Sequence, residues 1–403
     1  MSEIQTTPII APPIAPPVPW LGQVVRRTLR RALARFGLAW IAVVAICAMF
    51  APLLASSHPI AIKIRGEGWS SPLLRFLTPA DVALLVLGLI GFPLLFLVRR
   101  LSLALRFWIV LGLVLLSLAA STVFIHRPGV VVYEWYRQAE VDGKVERVIR
   151  APIPYSPSDR RRDQPSPEPP YPWPPSRANL MGTDINGQDI ASNMIHACRI
   201  AMAVGFISTG LAVIIGVIVG GLMGYFSGIF DLLGMRLVEI FESIPTIYLL
   251  LTFVAFYPRN IYIMMAIIGL TSWVGDARFV RAEFLKLRNQ DFVHAAIAAG
   301  LPLPRVLFRH ILPNAIAPLL VAASFGVASA ILAESTLSFL GLGLVDEASW
   351  GRLLDMARGE GGGFHWWIAT FPGLAIFLTV LSYNFIGEAI RDALDPKLSG
   401  GRG

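Results

Sequence analysis

Charge is scarce in this chain. Only 15% of its 403 residues are Asp, Glu, Lys or Arg, against 55% hydrophobic, and the mean hydropathy is +0.64. That excludes a soluble domain, which needs a solvated polar surface. Cysteine is scarcer still. Cys47 and Cys198 fall in or beside apolar runs, where they read as packing residues and not as a disulfide framework. The six histidines, at 58, 126, 196, 294, 310 and 365, do not cluster at ligand spacing. The phosphate-binding pattern GxxxxGK followed by Ser or Thr is missing, as are HExxH and GxSxG. No enzyme chemistry, catalytic residue or bound metal is therefore expected. No cleavable leader is evident either: residues 1–20 form a Pro-rich tail, and the first apolar run lacks a small-residue cleavage site.

Long apolar runs are abundant. Eight approach the ~20 residues a membrane-spanning helix needs: 36–55, 80–98, 105–125, 200–223, 237–257, 260–277, 317–341 and 366–388. The last five carry Gly, Ser and Pro, as suits helices packed against each other. Runs 80–98 and 105–125 are rich in Leu and Val and suit contact with lipid. The expected fold is an all-α polytopic membrane protein.

Basic residues give the orientation. Arg26, Arg27, Arg30, Arg31 and Arg35 precede the first run; Arg99, Arg100 and Arg106 separate the second and third. Loop 278–312 carries Arg278, Arg281, Lys286, Arg288, Arg305 and Arg309 against Glu283 and Asp291. With eight spans all three regions share one side. Short basic loops face the cytoplasm, so both termini are expected there. The net charge of +8 and pI near 9.8 then report topology, not nucleic-acid binding, since no basic stripe interleaved with aromatics occurs outside these loops. Segment 126–180 falls outside and holds nine Lys/Arg against seven acids; the rule weakens over long segments. Residues 151–175 include ten prolines and should be extended, as a passive spacer or a docking element. Tyr133, Trp135, Tyr136, Tyr171 and Trp173 are placed to anchor this segment at the membrane interface.

Polar residues within or beside the spans each call for a reason. In MGTDINGQD, 181–189, Asp184, Asn186 and Gly187 supply turn chemistry, and Asp189 suits a helix cap. The following helix, with Asn193, His196 and Arg199, is expected to lie along the bilayer and dive in near Ile200. A metal at Asp184, Asp189 and His196 is disfavoured by the ligand count. Arg236 and Glu239 form an i,i+3 pair, and Pro245 should kink the helix beyond them. Glu334, well inside a span, either lines a polar pathway or bonds a neighbouring helix. In 338–359, glycines break the helix, and Trp350, Leu353 and Leu354 suit a short interfacial helix.

The stretch DFVHAAIAAGLPLPRVLFRHILPN, 291–314, lies between spans but is too polar to cross. Asp291 suits the cap of a lean helix, Phe292–Ala299, and Gly300 the position past its end. Pro304 suits the first turn of a second helix, ending at Pro313. The result is a helix–turn–helix outside the bilayer, offered to a partner. A metal bridge between His294 and His310 is far less expected than polar packing. These features fit a transporter subunit energised by a partner. A proton-linked carrier would want more intramembrane carboxylates than Glu334, and a receptor or scaffold is the other rival.

The run HAAIAAG, nine residues, then HILPN resembles the EAA loop of ABC importer permeases, EAA-x3-G-x9-I-x-LP, through Ala295, Ala296, Gly300, Leu312 and Pro313. His294 replaces the Glu and His310 stands at the Ile position; HILPN, ending at Asn314, is common in the oligopeptide/dipeptide branch. MGTDINGQD resembles that branch's LGTDxxGRD at Gly182, Thr183, Asp184, Gly187 and Asp189, with Gln188 in place of Arg. ESTLSFLGLG at 334–343, SWG at 349–351 and DALDPKL at 392–398 extend the likeness over 175–400. PPSRANLMGTD, VRAEFLKLRNQDFVHAA and FIGEAIRDALDP resemble the Yej-type permeases, which take up peptides and microcin C-like peptide-nucleotides.

The resemblance implies a type I, MetI-like transmembrane domain in a bacterial inner membrane. Its order would be a tail to 35, a first span 36–55, an inserted region 56–125 with two extra helices, an external segment 126–180, a core 181–391 and a tail 392–403. It implies a homologous permease partner, two ATP-binding subunits that hold ATP and Mg, and an external peptide-binding protein. Loop 291–314, with Ala295, Ala296, Gly300, His310, Leu312, Pro313 and Asn314, would dock on an ATP-binding subunit. The extra pair, which preserves parity, is either a lipid-facing addition or a brace for a partner.

Overall fold

A computed structural model describes residues 20–66, 68–98, 101–125, 132–160, 171–344, 347–358 and 363–394. The chain opens with α1 (Trp20–Arg30) and α2 (Ala32–Leu54), then β1 (Ala61–Ile64), β2 (Trp69–Ser70) and α3 (Pro72–Phe76). Next come α4 (Pro79–Leu97), α5 (Leu103–Phe124), α6 (Glu134–Val141) and β3 (Val145–Ile149). The rest comprises α7 (Ile190–Phe226), α8 (Gly228–Ser243), α9 (Thr246–Phe256), α10 (Ile261–Leu287), α11 (Asp291–Ala298), α12 (Leu303–Arg305), α13 (Leu312–Phe339), α14 (Trp350–Met356) and α15 (Trp366–Leu394).

Among the described residues seven helices are long and apolar enough to cross a membrane, or eight if α8 and α9 form one broken span. That pair bends by 80° at the break holding Pro245, more than the expected kink. The expected in-plane helix before Ile200 does not form. α7 runs unbroken for 37 residues, about 55 Å, against a hydrocarbon core of about 30 Å. Its first turns, with Ile190, Ser192, Asn193 and Ala197, are buried in protein and need no interface to lie in.

α7 and α10 pack most closely. Gly216, Gly220 and Gly224, four apart, form the seam on α7. A Cβ on Gly220 would sit 2.2 Å from the Ala277 carbonyl oxygen, so no larger residue permits this approach. α13 and α15 close the bundle around Val204, Ile268, Ile331 and Leu337.

Of the prolines that sit within helical stretches without ending them, two share one device. Pro93 follows a wide π turn, Leu87–Gly91, and Pro313 follows another, Val306–Ile311. A proline ring clashes with the carbonyl four residues back, and the wider turn moves that carbonyl aside. The second helix of the 291–314 stretch therefore does not stop at Pro313; it continues through the π turn into α13.

The largely helical chain also carries a small antiparallel sheet, ordered β2-β1-β3, which the periodicity did not reveal. Its strands flank the inserted pair α4–α5, so residues 56–77 and 132–160 form one unit. His58 stacks on Phe76 at 3.8 Å with Tyr133 and Tyr136 beside it. Asp159, buried, accepts from Ser57 Oγ at 2.5 Å and Arg137 at 2.6 Å. Tyr133 and Tyr136 thus pack within this unit instead of serving only as interface anchors. Most of the surface of α4 and α5 faces outward. The pair is nevertheless clasped to the bundle: Arg199 on α7 pairs with Asp81 on α4 and donates to Ala48 O on α2 at 2.8 Å. Asp81 also completes a capping box with Thr78. Residues 161–170, part of the Pro-rich stretch, lie outside the described residues.

Candidate functional site

Helix α11 is short, with Gln290 at its cap position and Asp291 in its first turn, where a carboxylate complements the helix dipole. Its expected role as the cap residue passes to Gln290, which makes no side-chain capping bond. The end is closed by two backbone bonds, Gly300 N to Ile297 O at 2.9 Å and Leu301 N to Ala296 O at 3.2 Å. This Schellman closure needs a left-handed residue, and Gly300 has φ +72°.

Val293 and Ala296 turn inward against Val280, Phe284, Val306 and Ile311. The opposite face is exposed: Phe292 (40%), His294, Ala295, Ile297 (48%) and Ala298. Phe308 on the π turn is 66% exposed, between the exposed Arg305 and Arg309. Of the expected docking residues, Ala295, Gly300, Pro313 and Asn314 lie on the surface, His310 and Leu312 are half-buried, and Ala296 is buried. Phe292, Ile297 and Phe308 went unremarked in the sequence, although apolar residues in a loop this basic are a signal. Arg288, donating to Tyr225 O at 3.0 Å, ties the helix pair to the end of α7, and Arg281–Asp231 and Arg278–Glu242 tie α10 to α8.

At the other end of the bundle the MGTDINGQD turn is a staple. Gly182 and Gly187 have φ +82° and +80°. Thr183 Oγ1 accepts from Trp173 N at 2.7 Å, and Trp367 Nε1 donates to Thr183 O at 3.2 Å. Asp184 Oδ1 accepts from Asn186 N and Gln188 N, both at 2.8 Å. Asp189 caps α7 through Ser192 N at 2.8 Å and accepts from Asn179 Nδ2 at 2.5 Å. The turn thereby joins the Pro-rich segment, α7 and α15. Asp184, Asp189 and His196 are not brought together: His196 Nε2 lies 3.0 Å from Ala55 O. Among the described residues no group of three His, Cys, Asp or Glu side chains is placed to hold a metal.

Glu334 is fully buried on α13. Its Oε1 accepts from Ser338 at 2.7 Å and Ser349 at 2.6 Å, and Ser335 reaches Oε2 at 3.4 Å. It therefore binds α13 to the loop before α14. α14 does not lie free at an interface: Trp350 and Leu353 are buried, and Trp350 Nε1 donates to Met194 O at 3.3 Å.

Residues 182–400 match the family described as "Binding-protein-dependent transport system inner membrane component". The chain belongs to this family. The permease of Haemophilus influenzae named as an oligopeptide transport system permease, OppC, is 39% identical over 220 residues, 54% of this chain and 70% of its own. The Escherichia coli inner membrane ABC transporter permease YejE is 38% identical over 228 residues, 56% of this chain and 66% of its own. A dipeptide transport system permease, DppC, of Alkalihalophilus pseudofirmus is 37% identical over 225 residues, 56% and 74% of the two chains. These relatives are transport permeases. The family match begins at Gly182, so α1–α6 and the small sheet lie outside it.

Proposed function

We propose that this chain is the peptide-conducting permease subunit of an ATP-driven importer, with ATP hydrolysis in partner subunits. The observation that carries the reading is α11. It is a short helix with a small-residue and apolar outer face, closed by a left-handed glycine and backed by a buried core. Such an element transmits a push as a rigid body. The relatives named for oligopeptide and dipeptide transport support peptides as cargo, and microcin C-like peptide-nucleotides are a narrower candidate.

In this reading an external binding protein delivers the peptide to a pair formed by this chain and a homologous permease. Two ATP-binding subunits, which hold ATP and Mg, close and press on the exposed face at Phe292, Ala295 and Ile297. The push passes through Val293 and Ala296 into α10 and α13, and access alternates. The chain sits in the inner membrane with both termini cytoplasmic, the orientation the basic loops favour. The complex, purified through a tag on this chain, should contain an ATP-binding subunit and show ATPase activity stimulated by peptide-loaded binding protein. Purification of the intact, peptide-transporting chain without any ATPase would overturn the reading.

A further inference from the structure

Helix α1 has two unlike faces. The inner one is fastened to the last turn of α15: Thr28 is buried, Arg27 donates to Ala393 O at 3.3 Å, and Arg31 pairs with Asp392. The outer one places Gly22, Val25, Arg26, Leu29 and Arg30 along a shallow groove at i, i+3, i+4, i+7 and i+8. Val25 (50%) and Leu29 (46%) are exposed there. After the extended residue Arg31 comes α2, a helix long enough to span, on which Phe36, Val43 and Ile46 are exposed. Arg26 and Arg30 have no acidic partner among the described residues, whereas Arg31 on the inner side has one.

We propose that the outer face of α1 is a binding site for anionic phospholipid of the cytoplasmic leaflet, with acyl chains along Val25 and Leu29 and the headgroup phosphate at Arg26 and Arg30. The cytoplasmic placement rests on the topology of the proposed function; the lipid contact does not. Two features favour lipid over a protein partner. The apolar residues Val25 and Leu29 lie on a short helix that directly precedes one long enough to span, the setting of an interfacial helix. Arg26 and Arg30, without an acidic partner among the described residues, sit one turn apart just before the spanning helix, where a headgroup phosphate would complement them.

The full complex is placed in nanodiscs of phosphatidylcholine containing a photoactivatable phosphatidylglycerol, or a photoactivatable phosphatidylcholine as control, and labelled peptides are mapped after irradiation. Phosphatidylglycerol should label residues 20–35 well above phosphatidylcholine. The double variant Arg26→Ala, Arg30→Ala should lower that preference by as much as roughly 30-fold at low salt, and Arg26→Lys, Arg30→Lys should restore it. Labelling of α5 by either lipid should not change, which separates loss of the site from loss of the fold. Equal labelling of α1 by both lipids, or a double alanine variant that labels as the wild type does, overturns the proposal. So does a crosslink from α1 to an ATP-binding subunit in place of lipid. Both leaflets of the disc carry the same lipids, so a wrong topology would leave this result standing and would show separately, as external labelling of an N-terminal tag.

Discussion

Asp184 carries two roles in one side chain. Oδ1 holds the turn before α7, while Oδ2 is buried without a partner among the described residues. Burial pushes the carboxyl from 3.8 up to about 6. Between these values the folded chain keeps a proton that the unfolded chain has released, so stability falls as pH rises through the window. Above about pH 6 the full penalty is on the order of 3 kcal/mol. Asp184→Asn retains the Oδ1 acceptor and should flatten the fall in melting temperature between about pH 4 and pH 7; an unchanged profile would assign the pH dependence elsewhere. Glu334→Ala leaves Ser338 and Ser349 without their buried acceptor, costing about 1–3 kcal/mol. Thermal stability and transport should fall together, and lost transport at wild-type stability would restore a pathway role. The Asp189 cap and the left-handed Gly300 were legible in the sequence because their chemistry is local. Ser338, at i+4 from Glu334, was within helical spacing; Ser349 was not legible, because it reaches Glu334 from a separate loop.

At the scale of elements, glycine does two different jobs. Gly220→Val should bring a side chain against the Ala277 carbonyl and abolish α7–α10 packing, seen as loss of the chain from the membrane fraction. Gly300 meets nothing: a Cβ there has open space, and only φ resists it. Gly300→Val should therefore assemble yet lose the Schellman closure, leaving ATP hydrolysis uncoupled from uptake; normal uptake would show that the closure does not transmit force. Helices were readable from apolar runs and the 245 bend from its proline. Pro313 misled because a proline often ends a helix, whereas here a wide turn precedes it, and hydrogen-bond register within one turn is not written in composition. The sheet was hidden for a related reason: its strands are two to five residues long and pair across the whole α4–α5 insertion.

Across the whole molecule, the family match covers α7–α15 and leaves α1–α6 and the small sheet outside it. The inserted pair α4–α5 is not loosely attached. Asp81 and Arg199 are both largely buried, so Asp81→Ala strands a cation and should cost about 3–5 kcal/mol. Limited proteolysis in membranes should then release the α4–α5 region before the bundle, and equal rates would show that the clasp adds nothing. The bundle in turn links the MGTDINGQD staple at one end to α11 at the other through the single long helix α7 and its seam with α10. The central claim is that α11 presents its outer face to an ATP-binding subunit. It is tested most directly by placing a photocrosslinking amino acid at position 295 in the assembled complex, with position 293 as the inward control. The account predicts a crosslink to the ATP-binding subunit from 295 and not from 293. No such crosslink from 295, in a complex that hydrolyses ATP and imports peptide, would contradict it.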